Sequence, residues 1–349
     1  MPWFLGFLHL PTSLPPVAWH QHELLFGFVP AVIAGFLLTA VPNWTGRPGL
    51  TGLPLLLLFV LWLAGRVSIS LSEWTGPIVP TTLALAFLPA LAVIVLRELV
   101  AAGNRRNYKI VAVLAILSAA QVLFHLEIDR YGRVEVADRL ALSAIVLLIT
   151  IVAGRIIPAF TGNWLKANNP GRMPAAFSGF DLTVLVIAGA ALLLWILASR
   201  LPETLALPCG VLMLVAGLGH ILRQARWCPE RTYREPLVTI LHLAYLFVPT
   251  GFILAGRGIL ADDAGFGSAG VHAWTTGAVG IMTLAVMTRA TRGHTGQALI
   301  APWTTTWLIY ALIILSAAAR IAAALAPAQT MILLPLAGLA WILAFLGYF

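Results

Sequence analysis

Apolar runs of about 20 residues recur along the whole chain, and nothing in the sequence constrains its fold more. A helix needs about 20 apolar residues to cross a bilayer, and inside the bilayer each span must satisfy its own backbone hydrogen bonds. Eleven runs meet that length: 22–41, 50–70, 78–97, 108–127, 137–157, 179–198, 203–222, 236–256, 271–289, 303–323 and 328–347. The chain is 60% hydrophobic and 10% charged, whereas a soluble domain carries about 25% charged residues. A membrane barrel would show short alternating segments, and none occur here. The expected fold is an all-α, polytopic transmembrane helix bundle, a single domain over 1–349. Residues 1–19 form a short outer or interfacial lead and 22–347 the bundle. The lead has no basic n-region and no small-residue cleavage site, so it does not read as a signal peptide.

The net charge of +8 does not point to nucleic acid, because the basic residues sit mostly in short loops between spans. The odd-numbered loops carry the larger share, including Arg105, Arg106, Lys109, Arg172, Arg226 and Arg231. Basic loops stay in the cytoplasm, which predicts an outer N-terminus, a cytoplasmic C-terminus and membrane lipid as a partner. Cys209 and Cys228 form no CxxC or CxxCH pattern, so neither covalent heme nor a disulfide framework is suggested.

The chemistry gathers at span ends. Residues 19–47 read WHQHELLFGFVPAVIAGFLLTAVPNWTGR. They place His20, His22 and Glu23 at the mouth of the first span. With the predicted topology, His20, His22, His125 and His272 share an outer layer, while His220, His242 and His294 fall in an inner one. Imidazole is the commonest neutral metal ligand and suits copper and heme iron. The outer four are therefore the candidate metal ligands, with His22 ahead of His20 if the helix has begun there. Residues two apart on a helix point in nearly opposite directions. Glu23 could orient an imidazole from behind. Each histidine alone also has a plain reading as a hydrogen-bonded packing residue.

The ninth span, HAWTTGAVGIMTLAVMTRATRGHTG from His272 to Gly296, holds Gly277 and Gly280. These allow close approach of a helix or a flat cofactor. Its threonines could bond across helices, and Met282 and Met287 read as core. Arg289 could pair with heme propionates or with lipid phosphate. The junctions Asn43–Arg47, with Trp44, and Gly154–Trp164, with Arg155 and Asn163, could bind an anion or propionate, or simply cap helices and anchor at the headgroups. The connection 157–178 reads as a long Gly-, Pro- and Asn-rich loop.

Several stretches carry a family resemblance: Trp19–Gly52, Leu61–Arg66, Arg106–Leu114, AGRIIPAFTGNWL at 153–165, and His272–Gly296. They resemble the NnrS family over most of the chain. The resemblance implies a bacterial inner-membrane protein that contains heme and copper and is linked to nitric oxide metabolism and nitrosative stress. Nitric oxide or iron-nitrosyl species would then be partners, and turnover would need an electron donor outside the chain. Family members usually open with an additional span, giving twelve, where this chain has Met1–Trp19. Two other readings fit the composition. One is a metal-free carrier or permease, which calls for deep charges and broken helices. The other is an assembly factor that delivers heme or copper.

Overall fold

The computed structural model describes residues 8–296 and 302–348. Among them there are helices and no strands. Eleven helices are long and apolar enough to cross a membrane. They are α1 (Pro16–Thr45), α2 (Leu53–Ser70), α3 (Ile78–Ala101), α4 (Tyr108–Tyr131), α5 (Val136–Asn168), α6 (Gly179–Ala198), α7 (Pro202–Ala225), α8 (Pro236–Ala261), α9 (Ala264–Gly293), α10 (Trp303–Leu325) and α11 (Thr330–Leu346). The first part of the N-terminal lead lies outside the described residues.

The ends follow local chemistry. Helix α1 begins at Pro16, earlier than the apolar run suggests, because proline at the first helical position gives up only an N–H that has no partner there. It ends on Gly46 in the left-handed region (φ 67°), the conformation that glycine adopts without strain. Helix α5 runs on to Asn168 through Pro158. The long loop expected over 157–178 is therefore mostly helix, and only about its second half connects α5 to α6. A proline inside a helix removes one backbone donor and kinks the helix, so it need not end it. Ser178 and Asp181 close a capping box at the start of α6. Glu127, from α4, accepts from the backbone N–H groups of Glu135, Val136 and Ala137 and so caps α5.

The chain divides into two compact units, Met1–Leu148 and Ile149–Phe349. In the first, Leu91, Leu99, Leu114, Leu117 and Phe124 are fully buried. A Cβ at Gly65 of α2 would lie 3.2 Å from the Ala84 backbone of α3, so glycine lets these two helices touch. In the second unit the largest fully buried side chains are Trp227, Trp274, Arg223, Tyr245, Tyr310 and Phe252. Gly210 and Gly256 bring α7 against α8, and Gly270 brings α9 against Ala255 of α8. Large apolar side chains such as Leu56, Val93, Val186, Leu207 and Leu308 are exposed, as expected of a surface that meets lipid.

Candidate metal centre

Two helical spans carry a rare distortion, and each carries it directly after a histidine. In α1 the α-helix Pro16–His22 passes into a π-helix over Glu23–Phe28 and returns to α at Val29. In α9 the α-helix Ala264–His272 passes into a π-helix over Ala273–Ile281 and returns at Met282. A π segment closes i to i+5 bonds, so it packs its turns poorly and is uncommon; where it persists it often serves a site.

In the first unit the residue just before the π segment is a buried imidazole. His22 has no solvent exposure. Its Nδ1 lies 3.0 Å from Glu23 Oε1, and Arg66 Nη1 donates to the same oxygen at 2.7 Å. A carboxylate held by an arginine is an acceptor, so the His22 proton is assigned to Nδ1. The bare lone pair is then on Nε2, which is buried and has no partner. Gly27 makes this arrangement possible: a Cβ there would lie 2.7 Å from Arg66 Nη1 and 3.2 Å from Glu23 Oε2. The Gly27 carbonyl accepts from Trp62 Nε1 at 3.0 Å. His125 stands beside His22 with ring centroids 5.1 Å apart, and its Nε2 is likewise buried without a partner. Phe26 and Phe124 wall the pair, with ring centroids 5.6 and 5.3 Å from that of His22.

This donor set fits a metal ion. An imidazole nitrogen sits about 2.0–2.1 Å from a first-row ion such as zinc. Two imidazoles on one tetrahedral ion therefore place their centroids about 5 Å apart. The observed 5.1 Å edge-to-face spacing is that of packed rings as well as of two imidazoles on one ion. Among the described residues no group of three or more His, Cys, Asp or Glu side chains could hold a metal.

The second unit holds histidines in a different state. His220 is fully buried, with Nδ1 2.9 Å from the Tyr245 hydroxyl. Arg223 Nη1 donates to that hydroxyl at 3.0 Å and to the Thr150 carbonyl at 3.0 Å, while its Nε donates to Asp181 Oδ1 at 3.1 Å. Since arginine only donates, the Tyr245 oxygen accepts from it and gives its own proton to His220 Nδ1. The His220 hydrogen is thereby assigned to Nε2, which makes that nitrogen a donor where His22 offers a lone pair. Phe252 stacks on His220 at 5.5 Å, and Trp227 meets Tyr245 at 4.7 Å. Buried His242 contacts Thr161 Oγ1 through Nε2 at 2.9 Å, and its Nδ1 has no partner.

The other sequence candidates are placed as follows. His20 lies on the same helix as His22 but is exposed. His272 is half-buried in the second unit. His294 lies within α-helix at the end of the ninth span. The Arg289 guanidinium stacks over the Phe160 ring at 4.1 Å. Trp44 packs against Phe36 and accepts from Asn104 through its carbonyl. Arg155 is half-buried and Asn163 exposed, both on α5. The space at Gly277 and Gly280 is filled by the Phe247 and Trp341 rings, so those glycines admit side chains. Thr275 bonds the Val271 carbonyl of its own helix, a local alternative open to any helical threonine.

Sequence reasoning missed Arg66 as the partner of Glu23, and it missed the Asp181–Arg223–Tyr245–His220 network. The signal was present as arginines close to or inside apolar runs, where a charge persists only with a partner.

The family model described as NnrS protein matches residues 1–349. No curated protein matches the chain, and no solved structure does. The chain belongs to the NnrS family.

Proposed function

We propose that this is an integral inner-membrane protein that binds heme and copper and acts on nitric oxide or iron-nitrosyl species in defence against nitrosative stress. The observation that carries the reading is the His22 Nε2, a buried lone pair with no partner, aimed by Glu23 and Arg66. A buried polar atom left unpaired costs about 1–3 kcal/mol, and a ligated metal removes that cost. His22 and His125 would hold the ion, and Glu23 would fix the His22 tautomer and raise the basicity of its Nε2. Phe26 and Phe124 exclude water from the ring pair, which favours a small apolar ligand over a charged one. When bound, heme iron or copper would supply the position at which nitric oxide binds.

The charge bias of the loops supports an outer N-terminus and a cytoplasmic C-terminus, with lipid around the exposed apolar faces. Turnover would draw electrons from a separate donor. The test is heme and copper stoichiometry on detergent-purified protein, with optical spectra before and after nitric oxide. Near-stoichiometric heme whose Soret band shifts on nitric oxide addition is the expected result. Monodisperse protein that stays colourless and copper-free after heme-replete, copper-replete expression would refute the reading and favour a carrier.

A further inference from the structure

We propose that the C-terminal ends of α1 and α3 form a site for one anionic glycerophospholipid, with Arg47 and Arg97 on its phosphate and the start of an acyl chain in the cleft behind them. The site lies at the far end of α1 from His22 and stands independently of the heme and copper reading.

The cleft follows from the sequence around the end of the first span. Leu38, Pro42 and Thr45 share one face of α1, and Ile94 and Glu98 share one face of α3, because residues three and four apart lie one above the other on a helix. These two faces wall a cleft that the linker Arg47-Pro48-Gly49-Leu50 closes from a third side. Gly46 turns the chain off α1 in the left-handed region (φ 67°). Gly49 then lies back over Pro42, where a Cβ would stand 3.4 Å from the Pro42 ring. Proline and glycine bring little side chain to this corner, so the space stays open. It holds about 180 Å³, more than ten times the roughly 10–15 Å³ that one water needs. Its floor is apolar, with Val41 and Val95 buried. Asn104 Nδ2 donates to the Trp44 carbonyl at 2.9 Å, which ties the loop after α3 to the end of α1.

The charges sit at the mouth. Arg47 Nε donates to Glu98 Oε2 at 2.6 Å, and Arg97 Nε lies 3.3 Å from Glu98 Oε1. Glu98 therefore holds both guanidiniums by their Nε atoms. Among the described residues their Nη groups have no further partner. Arg47 is 41% exposed and Arg97 78%, so both are open to a ligand from the headgroup layer. Two cations on one carboxylate leave one positive charge, which one phosphodiester neutralises. Guanidinium Nη pairs match phosphate oxygens in a two-pronged hydrogen bond. A free anion would answer the arginines but leave the apolar floor wet, and a neutral lipid would cover the floor but leave the charge. An anionic phospholipid does both. Val93 and Leu96 beside the cleft are exposed, so a lipid chain reaches it from the side. The loop charges assign this end of both spans to the cytoplasm, the leaflet face on which basic pockets between spans take anionic headgroups.

The test is native mass spectrometry of the detergent-purified full chain, titrated with dioleoyl phosphatidylglycerol, with dioleoyl phosphatidylcholine and with glycerol phosphate. We expect one saturable phosphatidylglycerol, bound more tightly than phosphatidylcholine and not displaced by glycerol phosphate. An arginine at an anionic headgroup is worth about fivefold in affinity, so Arg47→Gln and Arg97→Gln should each weaken binding about that much. Leu38→Trp, which fills the cleft and keeps both arginines, should weaken it as well. The double variant Arg105→Gln with Arg106→Gln removes exposed charge from the loop after α3, outside the cleft, and should bind as wild type does. Equal binding of the two lipids, or wild-type affinity in Arg47→Gln and Arg97→Gln, overturns the proposal. Equal weakening by the Arg105 and Arg106 changes overturns it too, since surface charge alone would then account for binding. Displacement by glycerol phosphate would make the site one for a free phosphate and overturn the lipid assignment. If Arg47→Gln does not fold, Arg97→Gln decides.

Discussion

Replacing Glu23 with alanine strips two partners at once. Arg66 loses the carboxylate at 2.7 Å, and His22 Nδ1–H loses its acceptor at 3.0 Å. Breaking a buried ion pair from one side costs about 3–5 kcal/mol, because the surviving charge stays buried. Here the side chains retain 19% and 12% exposure, so water reaches part of the pair and the lower end, about 3 kcal/mol, applies. The orphaned Nδ1–H adds about 1 kcal/mol. A total near 4 kcal/mol is almost a thousandfold in the folding equilibrium. The double variant Glu23→Gln with Arg66→Met removes both charges and leaves an amide oxygen for His22, and should fall within about 1 kcal/mol of wild type. Both can be read by denaturant titration in detergent micelles, following tryptophan fluorescence. An alanine variant within about 1 kcal/mol of wild type, or a double variant as unstable as the single, would show that the Glu23–Arg66 pair does not hold His22.

Three further outcomes follow from the same geometry. Glu23→Gln alone should keep the fold but weaken copper or heme affinity about 10–100-fold, measured by chelator competition; unchanged affinity would remove Glu23 from the centre. Asp181→Ala should destabilise the second unit by about 3–5 kcal/mol, since Arg223 is 1% exposed and Asp181 4%; thermal unfolding that matches wild type would contradict the buried pair. Gly251→Ala should cost about 1–3 kcal/mol, because its Cβ would lie 2.3 Å from the Trp274 indole nitrogen, whereas Gly35→Ala meets nothing within 4 Å and should be neutral or slightly stabilising; equal melting temperatures for the two would count against the packing described.

The spans were legible because lipid demands length and apolarity, and both can be read directly from composition. Their ends were less so. Pro158 looked like the end of the fifth span, yet the helix continues past it, since a bundle tolerates a proline kink. The burial of His22 beside Glu23 was foreshadowed in the sequence, because His22 opens an apolar run next to a carboxylate. Its neighbour Arg66 was not, because contact between residues so far apart in sequence depends on how α1 and α2 pack. The π segments were also hidden. Their cause is a shift of hydrogen-bond partner from i+4 to i+5, which leaves no trace in hydrophobic periodicity over six or nine residues.

The most direct test of the account compares heme and copper content in wild type and His22→Gln, prepared side by side under replete conditions. The account predicts that the variant remains monodisperse and loses at least one of the two cofactors. Equal content of both in the two proteins would contradict it.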